Sequence, residues 1–169
     1  MGSPRLTKLC DSIELSVKNS CKDKISVSFS GGIDSTLIAF LAQKHCDVEL
    51  IAVGIPDAHD LKAARSASEL IDMELKVIEV EPKDMITEGM EMQKCLNLST
   101  IEVEFMLPFW IAAKNSDNSI LMCGQGADEL FGGYARFRTE DAEYDLEKEV
   151  SDLVNRLPDR ENKIAKEFG

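Results

Sequence analysis

At 169 residues the chain is long enough for one domain with a substantial core, and its 44% hydrophobic and 30% charged shares are those of a soluble globular protein. A formal net charge of −12 argues against a surface that grips a phosphate backbone, so no nucleic-acid partner is expected. No apolar run nears the ~20 residues that span a bilayer and no signal peptide is visible, so neither a membrane segment nor export is expected. The five cysteines, Cys10, Cys21, Cys46, Cys95 and Cys123, are odd in number and lack Cys-x-x-Cys spacing. They read as reduced, mostly buried thiols of a cytoplasmic protein.

Ser3-Pro4 sets a hydroxyl cap and a proline where a helix starts, and Leu6, Leu9, Cys10, Ile13 and Val17 form one apolar stripe along it. That stripe is expected to pack on the sheet edge or on a partner chain. Ile25, Val27 and Phe29 form a short apolar strand, which breaks at Ser30-Gly31-Gly32 and runs into Leu37, Ile38 and Leu41 at helical spacing. Residues 48–54 form a second strand, 57–60 a turn, and Leu61, Ala64, Ala67 and Ile71 mark one face of the next helix. A third strand at 75–80 leads to Pro82, which opens a helix over about 85–95, and then to a loop rich in Asn, Ser and Thr around 96–100. Helical pattern resumes over 105–113, with Pro108 as an early kink or start. A fourth strand, 120–123, runs straight into Gly124-Gln125-Gly126-Ala127-Asp128-Glu129. In the last thirty residues Leu146, Val150, Leu153, Val154 and Leu157 form a stripe amid Glu140, Asp141, Glu143, Asp145, Glu147 and Glu149, read as a solvated helix with one buried face.

Strands alternating with helices predict an α/β fold with a doubly wound parallel sheet, its central strand at 25–29 and its others at roughly 48–54, 74–80 and 119–123. One domain over 1–169 is expected, with a nucleotide-binding core over 22–138 and a helical extension over 139–169. Ligands of such sheets lie at the carboxyl ends of the strands, where the loop at 30–35, Gly54 and the turn at 124–129 all fall. A strand, a glycine turn and a helix start gather backbone N–H groups at the positive end of a helix dipole, which makes an anion site. The hydroxyls of Ser30, Ser35 and Thr36 add donors. Asp34 places a carboxylate where phosphates would sit, and so reads as a ligand to Mg2+ lying between them. Asp128, at the entrance of the following helix, is placed to complete that coordination from the other side. The plainer readings are a turn of small residues at 30–35 and a mere helix cap at Asp128. The loop lacks the lysine and the six-residue glycine frame of the common mononucleotide loop.

Ser30-Gly31-Gly32-Ile33-Asp34-Ser35 resembles the pyrophosphate loop of the ATP pyrophosphatases of the asparagine synthetase, GMP synthetase and NAD synthetase type. Gly124-Gln125-Gly126-Ala127-Asp128-Glu129-Leu130-Phe131-Gly132-Gly133-Tyr134 resembles the signature of the synthetase domain of glutamine-dependent asparagine synthetase, and also of β-lactam synthetase. Ala52-Val53-Gly54-Ile55-Pro56 with Asp60-Leu61-Lys62-Ala63-Ala64 is similar to that family's adenine segment, and residues 160–169 to a later helix of the same domain. The resemblance implies an adenine nucleotide alpha-hydrolase-like fold that uses ATP and Mg2+. Ser30, Gly31, Gly32, Asp34 and Ser35 would hold pyrophosphate and metal, and backbone near Ser28, Val53 and Gly54 would face adenine. Cys123 and Gly124 would contact the AMP part, and Asp128 would be the second Mg2+ ligand. It further implies that a carboxylate, that of aspartate in the family, attacks the α-phosphorus of ATP and that ammonia displaces AMP.

Three departures bear on that implied activity. Gln125 stands where the family has a glutamate; its amide can position substrate but cannot take a proton from ammonia, a task left to Glu129 or water. No glutaminase domain is present, so glutamine-derived ammonia would need a partner chain. The family's later lysine is also absent, and Lys163 and Lys166 are poor substitutes. The expected partners are therefore ATP, a small carboxylate, and a glutaminase or C-terminal subunit, in a homo-oligomer. Two alternatives stand beside the amide ligase. One is a nucleotide-binding module or one subunit of a split synthetase. The other is a different pyrophosphate-loop enzyme, such as a tRNA thiolase using Cys123.

Overall fold

The computed structural model describes residues 3–134 and 146–168. The expected acidic run at Glu140, Asp141, Glu143 and Asp145 lies outside them, as do the side chains of Leu146, Glu147, Glu149, Leu153 and Leu157. In chain order the elements are α1 (Pro4–Ser20), β1 (Lys24–Ser28), α2 (Ile33–Ala42), β2 (Asp47–Gly54), α3 (His59–Leu70) and β3 (Leu75–Glu79). They continue with α4 (Pro82–Leu96), α5 (Thr100–Lys114), β4 (Leu121–Cys123), α6 (Ala127–Phe131) and α7 (Leu146–Phe168).

The four strands form one sheet in the order β3-β2-β1-β4. Every pairing is parallel, with Val27 opposite Leu50 on one side and Met122 on the other. β1 therefore lies inside the sheet, and its carboxyl end opens between those of β2 and β4. Successive strand residues point to opposite faces. Ile25, Val27, Leu50 and Ala52 meet Ala39, Leu41, Leu61 and Ala64 of α2 and α3 in one buried cluster. Val53 and Ile78 pack on the second cluster, where Met92, Met106, Trp110 and Ile164 come from α4, α5 and α7. Helices thus cover both faces, which is why β2 carries the continuous apolar run Leu50-Ile51-Ala52-Val53, while β1 alternates Ile25 and Val27 with serines. Each such fully buried side chain contributes about 1.5–3 kcal/mol of transfer free energy.

Three expectations need correction. α5 begins at Thr100, five residues before the apolar pattern resumes, because Ser99 and Glu102 close a capping box. The Ser99 amide donates to Glu102 Oε2 at 2.9 Å, and Ser99 Oγ accepts from the Glu102 amide at 3.4 Å. Pro108 is consequently inside the helix and not near its start. Along α1 only Val17 is buried, and Leu6 and Leu9 remain 54% and 41% exposed, because the helix lies on α2 through its last turns. The thiols are also less buried than expected: Cys10 and Cys95 are exposed and the other three are half-buried. Among the described residues no single helix is long and apolar enough to cross a membrane; α4 and α5 reach that length only together, bent by 108°.

Candidate active site

The loop after β1 is shaped by its own hydroxyls. Ser35, buried in the first turn of α2, accepts from the Ser30 amide at 3.3 Å and donates to the Gly32 carbonyl at 3.2 Å. Its oxygen lies 3.1 Å from Ser30 Oγ, which in turn accepts from the Gly32 amide at 3.3 Å. Ser35 thus folds the loop, leaving Ser30 as the more exposed hydroxyl. Gly31 has φ +75°, and a Cβ there would stand 2.6 Å from the Ala63 carbonyl, so the turn seats directly on the backbone of α3. Gly32 caps α2, and Asp34, exposed in its first turn, stands beside the N–H groups that lack intrahelical partners.

The second loop is pressed against the first. A Cβ at Gly124 would lie 2.7 Å from the Ser35 amide nitrogen and 2.8 Å from Asp34 Cβ, so only glycine lets the end of β4 approach α2 this closely. Gly126 turns the chain with φ +96° into α6, whose first turn carries Asp128 and Glu129. Asp128 is exposed, and its carboxylate packs into the notch left by the missing side chain of Gly133. Glu129 is buried, and its Oε1 accepts a 2.6 Å hydrogen bond from the Tyr134 hydroxyl.

These loops line one cavity of about 370 Å³. From the residues singled out in the sequence it gathers Ser28, Ser30, Gly32, Asp34, Ser35, Cys123, Gly124, Gln125, Asp128 and Glu129. A smaller hollow of about 100 Å³ adjoins it across Ser28, Ser30 and Pro108 and is lined by Val53 and Asp60. Gly31 and Gly54 line neither, since Gly31 is spent on α3 and a Cβ at Gly54 would meet Leu61 at 3.0 Å. Phe105, Pro108, Phe109 and Tyr134 complete the larger cavity and were not anticipated. Phe105, 66% exposed in the structure, marks that wall, and no local sequence signal pointed to it. Burial raises the Cys123 thiol above its ordinary range; the nearby Glu161 carboxylate on α7 adds to this, and a backbone hydrogen bond at Gln125 opposes it. Cys123 is thus held as a neutral thiol at neutral pH.

Among the described residues, every charged side chain lining the cavity is acidic: Asp34, Asp128 and Glu129. A polyphosphate enters such a space only with a cation between. No group of three or more His, Cys, Asp or Glu forms a ready cage among the described residues. Two exposed carboxylates from opposite loops suit Mg2+, which takes one or two carboxylates and completes its shell with phosphate oxygens and water.

A family profile described as asparagine synthase matches residues 8–167. The chain is 33% identical over 141 residues to a putative glutamine-hydrolysing asparagine synthetase of Methanocaldococcus jannaschii, covering 79% of this chain and 26% of that one. Identity to the human asparagine synthetase is 26% over 147 residues, with the same two coverages. Among solved structures, an NH3-dependent NAD synthetase from Campylobacter jejuni overlays with a TM-score of 0.45 and 24% identity, covering 95% of this chain and 75% of that one. An NMN synthetase from Francisella tularensis gives 0.46 and 17%, covering 97% and 74%. The chain spans about a quarter of the length of the asparagine synthetases it matches. With nearly its whole length inside the profile, this chain belongs to the asparagine synthase family.

Proposed function

We propose that the chain is the ATP-activating part of an AMP-forming amide ligase, acting on a small carboxylate, aspartate in the first instance, with ammonia as the final nucleophile. The observation that carries this reading is the contact of the two glycine loops at Gly124, Asp34 and Ser35, which brings both motifs to one cavity. In it, the 30–35 loop receives the pyrophosphate part of ATP with its backbone N–H groups and the Ser30 hydroxyl. Val53, Ser28 and Pro108 form the wall for adenine. Asp34 and Asp128 hold Mg2+, which when bound neutralises charge on the leaving pyrophosphate. Gln125, exposed at the cavity wall, orients the incoming groups through its amide, while Tyr134 and Glu129 form a hydrogen-bonded pair behind it. The neutral Cys123 thiol makes a wall and not a sulfur nucleophile, which weighs against thiolation.

The test is calorimetry with Mg-ATP and adenosine, followed by a pyrophosphate-release assay. Asp34→Ala and Asp128→Ala are each expected to weaken Mg-ATP binding about tenfold or more, while adenosine binding changes less than about twofold. Equal losses for both ligands would remove the metal assignment. Pyrophosphate released with aspartate and ammonia supports the ligase; release only with tRNA transfers the site to a modifying enzyme. A second reading, a nucleotide-binding module or subunit without complete catalysis, is favoured by Gln125 and predicts tight Mg-ATP binding with no pyrophosphate released under either condition.

A further inference from the structure

Helix α5 is apolar on two sides, and only one of them is in the core. Val103, Met106, Trp110 and Ile111 are buried in the cluster shared with α4 and α7. The other side carries Ile101, Phe105 and Pro108, spaced i, i+4 and i+7 and so aligned along the helix. Ile101 and Phe105 are each 66% exposed, and Pro108 is exposed with them. A helix that is apolar all round is ordinarily buried all round. Here the second side opens on the nucleotide cavity, which Phe105, Pro108 and Phe109 line together with Tyr134. Pro108 also lines the smaller hollow beside Val53, whereas Phe105 and Phe109 line the cavity alone. ATP with its adenine on the Val53 wall therefore leaves Phe105 uncovered.

We infer that this wall receives the acid, and that the carboxylate activated here carries an apolar tail, aliphatic or aromatic, packed on Phe105 and Phe109. The inference rests on the ligase reading above and narrows its acid, with aspartate as a poor substrate. Two observations favour the apolar tail. Seated on Phe105, it takes exposed apolar surface of both partners out of water. Among the described residues the charged side chains lining the cavity are Asp34, Asp128 and Glu129. Aspartate would bring a second carboxylate beside them, and an uncharged tail brings none. The chemistry is the same for either acid. One carboxylate oxygen bonds the α-phosphorus of ATP as the bond to pyrophosphate breaks. The nitrogen of ammonia then bonds the acyl carbon, AMP leaves, and one proton passes to solvent. Phe105 is thus a specificity residue, touching the acid and neither the phosphates nor the metal.

The experiment measures pyrophosphate release by the whole chain with Mg-ATP, ammonia and one of three acids: hexanoate, phenylacetate or aspartate. Hexanoate and phenylacetate are each expected to give a kcat/KM at least about tenfold above that of aspartate, the scale of discrimination that an apolar pocket confers. Phe105→Ala should raise the KM for hexanoate about tenfold, while the KM for ATP stays within about twofold. Its melting temperature should stay within about 2 °C of wild type, because the ring is exposed. Phe105→Leu keeps an apolar side chain and should bring hexanoate back to within about threefold of wild type. Aspartate used as well as either apolar acid overturns the inference. So does a Phe105→Ala chain whose KM for hexanoate is unchanged or rises in step with that for ATP. Sedimentation that finds a dimer dissolved by Phe105→Ala also overturns it, giving the wall to a second copy. Pyrophosphate released with none of the acids, from a chain that still binds Mg-ATP, removes the ligase reading itself and the inference with it.

Discussion

Gly124 shows how one residue type decides whether the two motifs can meet. Its missing side chain is replaced by the Ser35 amide and Asp34 of α2. Gly124→Ala is expected to push β4 from α2, cost about 1–3 kcal/mol as an overpacked contact, and weaken Mg-ATP binding. Chemical denaturation with calorimetry on the same sample checks this; an alanine variant that is as stable and binds as well would show that the loops do not need their close approach. Gln125 poses a different question at the same cavity wall. Gln125→Glu is nearly isosteric and supplies a base, so under the ligase reading amide formation at neutral pH should rise while ATP affinity hardly changes at saturating Mg2+. The added carboxylate joins three others, and repulsion at an effective dielectric of ~20 should weaken ATP binding when Mg2+ is scarce. Amide yields at several Mg2+ concentrations separate the two effects, and a yield that falls at every concentration would remove Gln125 from the chemistry.

Helices carry the next level of specification. α5 is set by the Ser99–Glu102 capping box, which starts it early enough to bring Phe105, Pro108 and Phe109 over the cavity. Ser99→Ala is expected to cost about 1 kcal/mol and to fray that first turn. Thermal melting gives the cost, and faster amide exchange confined to 100–104 locates it; exchange unchanged there would mean that tertiary packing alone sets the start of α5. α7 is fastened by Ile164, 1% exposed, and by Phe168, whose ring meets Trp110 edge-on at 4.6 Å. Trp110 also donates to Glu88 at 3.0 Å, and Lys114 bonds Glu88 and Glu91, which knits α4, α5 and α7 into one layer.

Across the whole molecule the dominant electrostatic fact is excess negative charge, −12 overall, repeated locally in a cavity whose described charged groups are all carboxylates. Net charge acts at long range and is screened within about 8–10 Å at physiological salt, whereas the cavity carboxylates act at contact. Chelating divalent cations should therefore abolish ATP binding at any moderate salt concentration while adenosine still binds. Titrations with and without EDTA check this, and ATP that binds equally well in both would place an unseen cation source in the site.

The sequence by itself determined the elements and the family. Period-two strands, helical apolar spacing and two glycine-bearing motifs at strand ends are local signals, and local sterics and hydrogen bonding suffice to read them. The parallel order with β1 inside, and the arrival of Asp34 and Asp128 at one cavity, followed from those motifs because α/β sheets present their loops at one end. The partition of labour inside the motifs was not legible. That Ser35 folds the loop, that Gly31 and Gly54 serve helix packing, and that Glu129 is buried against Tyr134 depend on neighbours distant in sequence or on the burial they create. The aromatic wall from α5 is likewise tertiary, for it arises where separate helices and strands are brought together and no local pattern records the partner.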